Sequence, residues 1–429
     1  MEDKSRPGLL PGSALRELFN ELSPFDHQLG LRPDAQLRTV LAANANLPLE
    51  VQARGFLAAA AEGYQSPLII QLSYNALRVF GSGGGLSGAP DRRSRAQVLV
   101  DGALMAKSVL NALVGHYRCR LVALSLDHFR VPPFPAHGNR PDRTRHALAR
   151  AFLEDAAGYM QDEAGLEPPS REEMEAFAAY LCSGDYLAFL EEFAGVVSSI
   201  RPAWGMIDTE RLPPVLDCAV TREITGAVRQ VLGNQDMMVE AEYGATGTAG
   251  EPLEYRRLAG PDLDRFAAQV AAFVDYTGAD AIAYPIGMVH AAPTGERHEP
   301  DRERLATVQK AILGRTGRYV PFAQHGGTGA AGLARGLVGK NNVNTGFLVA
   351  GANAVAAYAA KNLDGIRRGD KAAAGVALYL TAIEATRLET IRRLQEAGTW
   401  QAGKDLFLDE VPRITGVDRP EPVLDPDRE

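Results

Sequence analysis

Eight short apolar runs, most ending on or just before a polar or charged residue, recur along this chain with amphipathic segments between them. They cover Val40–Asn44, Pro67–Ser73, Arg120–Leu126, Trp204–Asp208, Met237–Tyr243, Ala281–Gly287, Tyr319–Gln324 and Leu337–Asn344. Short runs that are nearly continuous in Val, Ile, Leu and Ala suit strands covered on both faces, as in a parallel sheet with helices outside. Between them, Leu49–Glu62, Ala96–His116, Thr221–Leu232, Asp262–Thr277 and Arg302–Leu313 have helical character. Eight strand–helix units is the count of a (β/α)8 TIM barrel in the α/β class.

The polar residues at the strand ends strengthen that expectation. They are Asn44, Ser73, Asp127-His128, Asp208, Glu240/Glu242, His290, His325 and Asn342/Asn344. In a barrel the C-terminal strand ends share one mouth, whereas an open doubly wound sheet gathers such groups mainly at one switch point. Three of the eight histidines, His128, His290 and His325, sit in equivalent places. Three converging neutral imidazoles are most often the ligands of a metal ion, typically zinc with an open position. One strand-end histidine alone reads more simply as a hydrogen-bonded structural group. Asp127 beside His128 is placed to exchange a proton with substrate, or to cap the next turn. Glu240 and Glu242 alternate on one strand and face the same side, so one of them can instead pair with a Lys or Arg inside the barrel.

The rhythm breaks after the third strand. Arg130–Ser183 is longer than a barrel connection and contains helix-like Ala147–Glu163 and Arg171–Leu181, before Tyr186–Ser199 supplies the barrel helix. Such an insertion serves as a lid or subunit contact, or is a surface helical hairpin. Gly81–Gly88 reads as a flexible loop or a phosphate cradle. A single large domain accommodates all 429 residues. The net charge of −8 argues against a nucleic-acid partner. Cys119, Cys182 and Cys218 form no CxxC pair, as expected of reduced thiols in a cytoplasmic protein. Met1-Glu2-Asp3-Lys4 opens no apolar signal segment, no uninterrupted apolar stretch has spanning length, and 410–429 reads as an acidic tail.

The most specific string is Val320 to Gly329, VPFAQHGGTG, a strand ending in histidine and then a glycine turn. Backbone amides of such a turn, with the Thr328 hydroxyl, can bind phosphate oxygens. Here the chain resembles the class II, metal-dependent fructose- and tagatose-bisphosphate aldolases. Asn44-Ala45-Asn46, Ile69–Ser73, Leu126-Asp127-His128, Met206-Ile207-Asp208, Val239–Gly244, Ile286–His290, Gln324–Gly329, Lys340–Thr345 and Gly398–Lys404 are similar to that family's strings, in matching order. The resemblance implies zinc on His128, His290 and His325, with a monovalent cation nearby, and Asp127 as the group that takes the substrate's C4 hydroxyl proton. It implies phosphate contacts from Gly326, Gly327, Thr328, Asn342 and Thr345, with Asn44, Ser73 and Asn344 on the substrate side. Asp208 and Glu242 match acidic positions near the metal, and Glu251 matches a loop glutamate that moves the enediolate proton. It further implies a phosphorylated sugar substrate and a homodimer or higher homo-oligomer.

The sequence departs from the family at Ala291, at Ala292-Pro293-Thr294-Gly295, at Asn344 in place of an aspartate, and at Arg367–Lys371. These changes retain the zinc and enediolate chemistry and point away from fructose 1,6-bisphosphate, toward another sugar phosphate. A metal-dependent barrel epimerase or isomerase, and a non-catalytic aldolase-like subunit, are the competing readings.

Overall fold

The structure is a computed structural model that describes residues 8–26, 28–46, 48–62, 65–82, 93–136, 143–244, 258–286, 299–328 and 332–402. Eight parallel strands close on themselves in chain order: β1 (Val40–Asn44), β2 (Leu68–Ser73), β3 (Val122–Arg130), β4 (Trp204–Asp208), β5 (Met238–Glu242), β6 (Ala281–Ala283), β7 (Phe322–Gln324) and β8 (Val338–Val343). The expected (β/α)8 TIM barrel is what the chain forms. α1 (Gly12–Glu21) precedes the barrel. The outer layer is α2 (Leu49–Glu62), α3 (Tyr74–Gly81), α4 (Arg95–His116), α5 (Arg143–Ala164), α6 (Arg171–Leu181), α7 (Gly184–Ile200), α8 (Pro214–Gly226), α9 (Pro261–Thr277), α10 (Arg302–Thr316), α11 (Thr345–Lys361), α12 (Leu363–Arg367) and α13 (Ala377–Ala397).

The barrel interior changes character from bottom to top. At the N-terminal end Leu15, Leu18 and Phe19 of α1 pack with Val40, Ile69, Ala123, Trp204 and Met238, sealing the barrel with an apolar plug. Gly12 is required there: a Cβ would lie 1.7 Å from the Asp236 carbonyl oxygen. One layer higher, Glu240 and Lys340 pair at 2.5 Å, both fully buried, and Trp204 Nε1 donates to the same carboxylate at 2.6 Å. Above them lie the polar strand ends.

Several boundaries differ from the sequence expectation. β3 runs on to Arg130, so the extra segment starts after it. β8 stops at Val343, and Asn344 becomes the N-cap of α11. α8 starts at Pro214, where a proline at the first turn costs no hydrogen bond. α5 of the segment after β3 packs on the outer helices, where Tyr276 donates to Asp155 (2.8 Å) and Arg315 pairs with Glu163 (2.7 Å), and within the segment the rings of Phe134 and Phe177 meet edge-on. Residues 137–142 of that segment, most of Gly81–Gly88 and the 410–429 tail lie outside the described residues. Among the described residues α4 alone is long and apolar enough to cross a membrane by length and composition, although Asp101 and Lys107 interrupt its apolar run. It is built into the helical layer, with Leu99, Ala103, Ala106 and Leu110 fully buried.

Candidate active site

Adjacent residues on a regular strand point to opposite faces, which would separate Asp127 from His128. The structure resolves this with a register shift between Leu126 and Phe129, and with His128 in the left-handed region at φ 47°. That conformation costs a non-glycine residue about 1–3 kcal/mol and persists only where its surroundings hold it. Phe129 supplies the hold, packed edge-on against Tyr74, Phe189 and Phe193 at centroid distances of 5.3, 5.9 and 5.3 Å. Both polar side chains then share the mouth, with His128 Nδ1 3.0 Å from Asp127 Oδ1.

Asp127 is buried and fully engaged. Asn44 Nδ2 donates to Oδ2 at 2.7 Å and Gln71 Nε2 to Oδ1 at 2.9 Å. Burial opposes its charge, but the His128 contact, the Lys340 ammonium and the Asn44 amide outweigh it and hold the carboxyl well below the usual carboxylate range. Burial opposes charge on His128 as well; Asp127, with Asp208 and Glu240 further off, pushes its pKa up to about 9.

His325 follows β7 and its ring lies 4.9 Å from that of His128. Its Nε2 is 3.0 Å from Glu240 Oε1 and its Nδ1 3.4 Å from Glu242 Oε1. Burial is outweighed at Glu240 by Lys340 and His325, which bring its pKa down to about 2. Glu242 behaves oppositely: burial, with the charges of Asp208, Glu210 and Glu240, raises it well above the ordinary value. Its Oε2 is buried without a hydrogen-bond partner among the described residues. Arg130 Nε holds Asp208 at 2.8 Å.

The glycine turn closes the opposite wall. Gly326 has φ 70°, which glycine adopts freely. A Cβ on Gly327 would lie 2.2 Å from Asn341 Oδ1 and 2.7 Å from the Asn342 carbonyl oxygen. Gly327 N–H donates to Asn342 O (3.2 Å), Gly346 N–H donates to Thr328 Oγ1 (3.2 Å), and Arg393 donates to Gly327 O (3.1 Å). The turn is thereby fixed against the N-terminus of α11.

One cavity of about 600 Å³ is lined by Asn44, Ser73, Asp127, His128, His325, Gly326, Gly327, Thr328, Asn342, Asn344 and Thr345. Asp208 and Glu242 do not line it; Asp208 contacts Arg130, and Glu242 contacts His325 of the lining. His290 and Glu251, both expected at the site, lie outside the described residues. Sequence reasoning passed over Asn46, which donates to Asn344 Oδ1 at 2.6 Å, and Arg393 on α13. It also passed over Gln71, although its two-residue spacing from Ser73 on β2 was a usable signal.

Residues 191–399 match the family model described as fructose-bisphosphate aldolase class-II. By that match the stretch from α7 through α13 is a class II fructose-bisphosphate aldolase domain. The match runs from α7 through α13, so it includes His325 and the glycine turn and leaves Asp127 and His128 outside. A fructose-bisphosphate aldolase from Campylobacter jejuni has a solved structure similar to this chain, at 17% identity and TM-score 0.58, covering 93% of this chain and 98% of that one; at such identity the likeness speaks for the fold. A structure from Coccidioides immitis, whose own description as a fructose-1,6-biphosphate aldolase is provisional, is 15% identical over 86% of this chain and 92% of its own, with a TM-score of 0.40 that carries no weight. No curated protein matches this sequence.

A class II site calls for a metal, and the donor chemistry fits one in part. The Asp127 contact at His128 Nδ1 leaves Nε2 as the lone-pair nitrogen of a neutral ring, the arrangement that orients a ligating histidine. A cation beside Glu242 would relieve the like charges around its buried Oε2. Among the described residues no three His, Cys, Asp or Glu side chains are grouped as metal ligands.

Proposed function

We propose that this protein is a zinc-dependent aldolase, a lyase that reversibly cleaves and forms the C3–C4 bond of a ketose phosphate through the enediolate of dihydroxyacetone phosphate. The observation that carries this reading is a single cavity lined by Asp127, His128 and His325 on one side and by the Gly326–Thr328 turn on the other. His128, His290 and His325 would hold zinc, with Asp208 and Glu242 orienting the ligands or taking a displaced ion. Zinc bound there supplies a Lewis acid for the ketose carbonyl. Asp127 takes the C4 hydroxyl proton during cleavage and returns it during condensation. Its low pKa reflects the His128 charge, which a neutral ligand imidazole no longer provides. Gly326, Gly327, Thr328, Asn342 and Thr345, at the start of α11, hold the phosphate of dihydroxyacetone phosphate. Ser73, already the N-cap of α3 through Ala76 N–H (3.2 Å), lies on the same wall. Glu251 moves the enediolate proton.

Two features favour an acceptor other than that of the fructose bisphosphate reaction. Asn344 offers a neutral amide, held by Asn46, to the substrate hydroxyls. A second cavity of about 440 Å³ shares Ser73, Asn75 and His128 with the first and extends past Arg95, Arg130 and Phe189. The aldehyde half of a larger substrate fits in that direction. The enzyme would act in the cytoplasm on a phosphorylated sugar, with a monovalent cation at the phosphate side. A homodimer has an apolar face available in Leu348, Val349, Leu380 and Leu388, exposed on α11 and α13.

The test is condensation of dihydroxyacetone phosphate with a panel of aldehydes. The expected result is a new C–C bond with at least one acceptor, lost on EDTA treatment and restored by zinc. Isomerised or epimerised product without an aldehyde requirement would replace the aldolase reading with the isomerase one. No turnover in a zinc-free, chelator-insensitive protein would leave the non-catalytic subunit.

A further inference from the structure

The barrel's other end holds a larger cavity, about 870 Å³, and a charge arrangement that the aldolase chemistry does not use. It opens where α1 meets the starts of β5, β6 and β7. Three guanidinium groups there converge on one carboxylate, that of Asp280. Arg16 Nη2 lies 3.2 Å from Oδ1, Arg229 Nη2 2.9 Å from Oδ2, and Arg318 Nη1 3.9 Å from Oδ1. Asp280 is also taken up by the Val239 N–H, which donates to Oδ2 at 3.0 Å, so its acceptor capacity is used within the protein. The other acid in the lining, Asp275, accepts from Arg315 Nε (3.0 Å) and from the Tyr159 hydroxyl (2.6 Å).

Three positive charges thus face two negative ones in a concave site of a protein whose net charge is −8. The arginine side chains are 36%, 32% and 39% exposed, so donors of each fork remain open to the cavity beyond the bonds already made. Burial holds the Arg318 pKa below its ordinary value, Asp280 opposes that, and the charges of Arg229 and Arg16 add a smaller repulsion that a bound anion would relieve. Planar guanidinium forks match phosphate oxygens in geometry as well as charge.

We propose that this pocket at the N-terminal end of the barrel binds a phosphate-bearing small anion through Arg16, Arg229 and Arg318. Arg16 ties α1 to the barrel floor through Asp280, which Arg229 and Arg318 hold from the other side, so an anion bridging the three tightens the plug. Inorganic phosphate and a phosphomonoester share the required chemistry, and titrating each separately tells which source the pocket prefers.

The test is calorimetric titration of the full-length protein with inorganic phosphate and, separately, with glycerol 3-phosphate. It is paired with phosphate protection of Arg16, Arg229 and Arg318 against phenylglyoxal, mapped by peptide mass. The expected result is protection at these arginines, and binding at this site weakened by about tenfold or more in the double variant Arg16→Gln/Arg318→Gln, in line with the loss of charge-assisted hydrogen bonds. Arg16→Gln alone, on a partly exposed helix, should give a smaller loss with an unchanged circular dichroism spectrum and melting temperature in phosphate-free buffer. Turnover should stay at the wild-type level in both. Absence of protection, or wild-type phosphate affinity and stoichiometry in both variants, would overturn the proposal and leave the arginines as a structural clamp. Failure of every aldol assay would sink the aldolase reading and leave this result untouched.

Discussion

The two ends of the barrel are built on opposite principles. At the N-terminal end Gly12 lets α1 approach the floor of the barrel, apolar side chains fill the interior, and Asp280 is saturated by its arginines. At the C-terminal mouth His128 sits at φ 47°, both polar atoms of the Asn342 side chain lack partners among the described residues, and Glu242 carries a buried oxygen with none. A mouth with unspent hydrogen-bonding capacity and local strain is suited to binding and chemistry; the apolar plug within the barrel is suited to stability, and the arginine pocket lies to one side of it. The buried Glu240–Lys340 pair stands between them and joins the two, since Glu240 meets Trp204 below and His325 above.

Substitutions at the two ends should therefore separate activity from stability. The largest expected effect is at the mouth: Asp127→Ala should lower turnover by about 10²–10⁴-fold, the range of a lost acid–base group. Steady-state kinetics with metal content measured alongside would show this, and an unchanged kcat would remove Asp127 from the mechanism. Next comes the joint between the ends. Lys340→Met strands Glu240 in the interior and should cost about 3–5 kcal/mol of stability by urea unfolding. Adding Glu240→Gln should recover part of that loss; no recovery would mean that the pair is not the source.

Gly12→Ala and Gly327→Ala form a matched test, because each places a Cβ on backbone or a fixed amide. Gly12→Ala should lower stability by about 1–3 kcal/mol and leave KM unchanged, while Gly327→Ala should raise KM for the phosphorylated substrate with a smaller loss of stability. The same response from both would erase the distinction between floor and mouth. The smallest effect is expected away from both ends, in α8. Burial raises the Asp217 pKa well above its ordinary value, although the Thr221 hydroxyl donates to it at 3.2 Å. The stabilising contribution of its bound proton is fully present below the unfolded pKa and is lost as pH rises through the folded one. Asp217→Asn should flatten the decline of stability toward alkaline pH, which melting temperatures across a pH series would reveal.

The barrel was legible because its strands are short, apolar and closed by polar residues, and that pattern survives in any register. The mouth was legible for the same reason, with Asn44, Ser73, Asp127, His128, His325 and Asn342 each in or next to the last residues of a strand. The left-handed turn at His128 was not, because it depends on Phe129 meeting three aromatic rings from two other elements, α3 and α7. Arg393 escaped notice because a residue on α13 reaches the glycine turn only through tertiary packing. The destination of Glu240 was half legible: alternation with Glu242 placed it inside the barrel, but Lys340 as its partner is fixed by closure between distant strands.

The central claim is that His128 and His325 share a catalytic metal beside Asp127. The most direct measurement is zinc content and aldol turnover in the wild-type protein and in His325→Ala. The account predicts about one zinc per chain in the wild type, with zinc and turnover lost together in His325→Ala. Wild-type turnover in a His325→Ala protein that binds no zinc would contradict it.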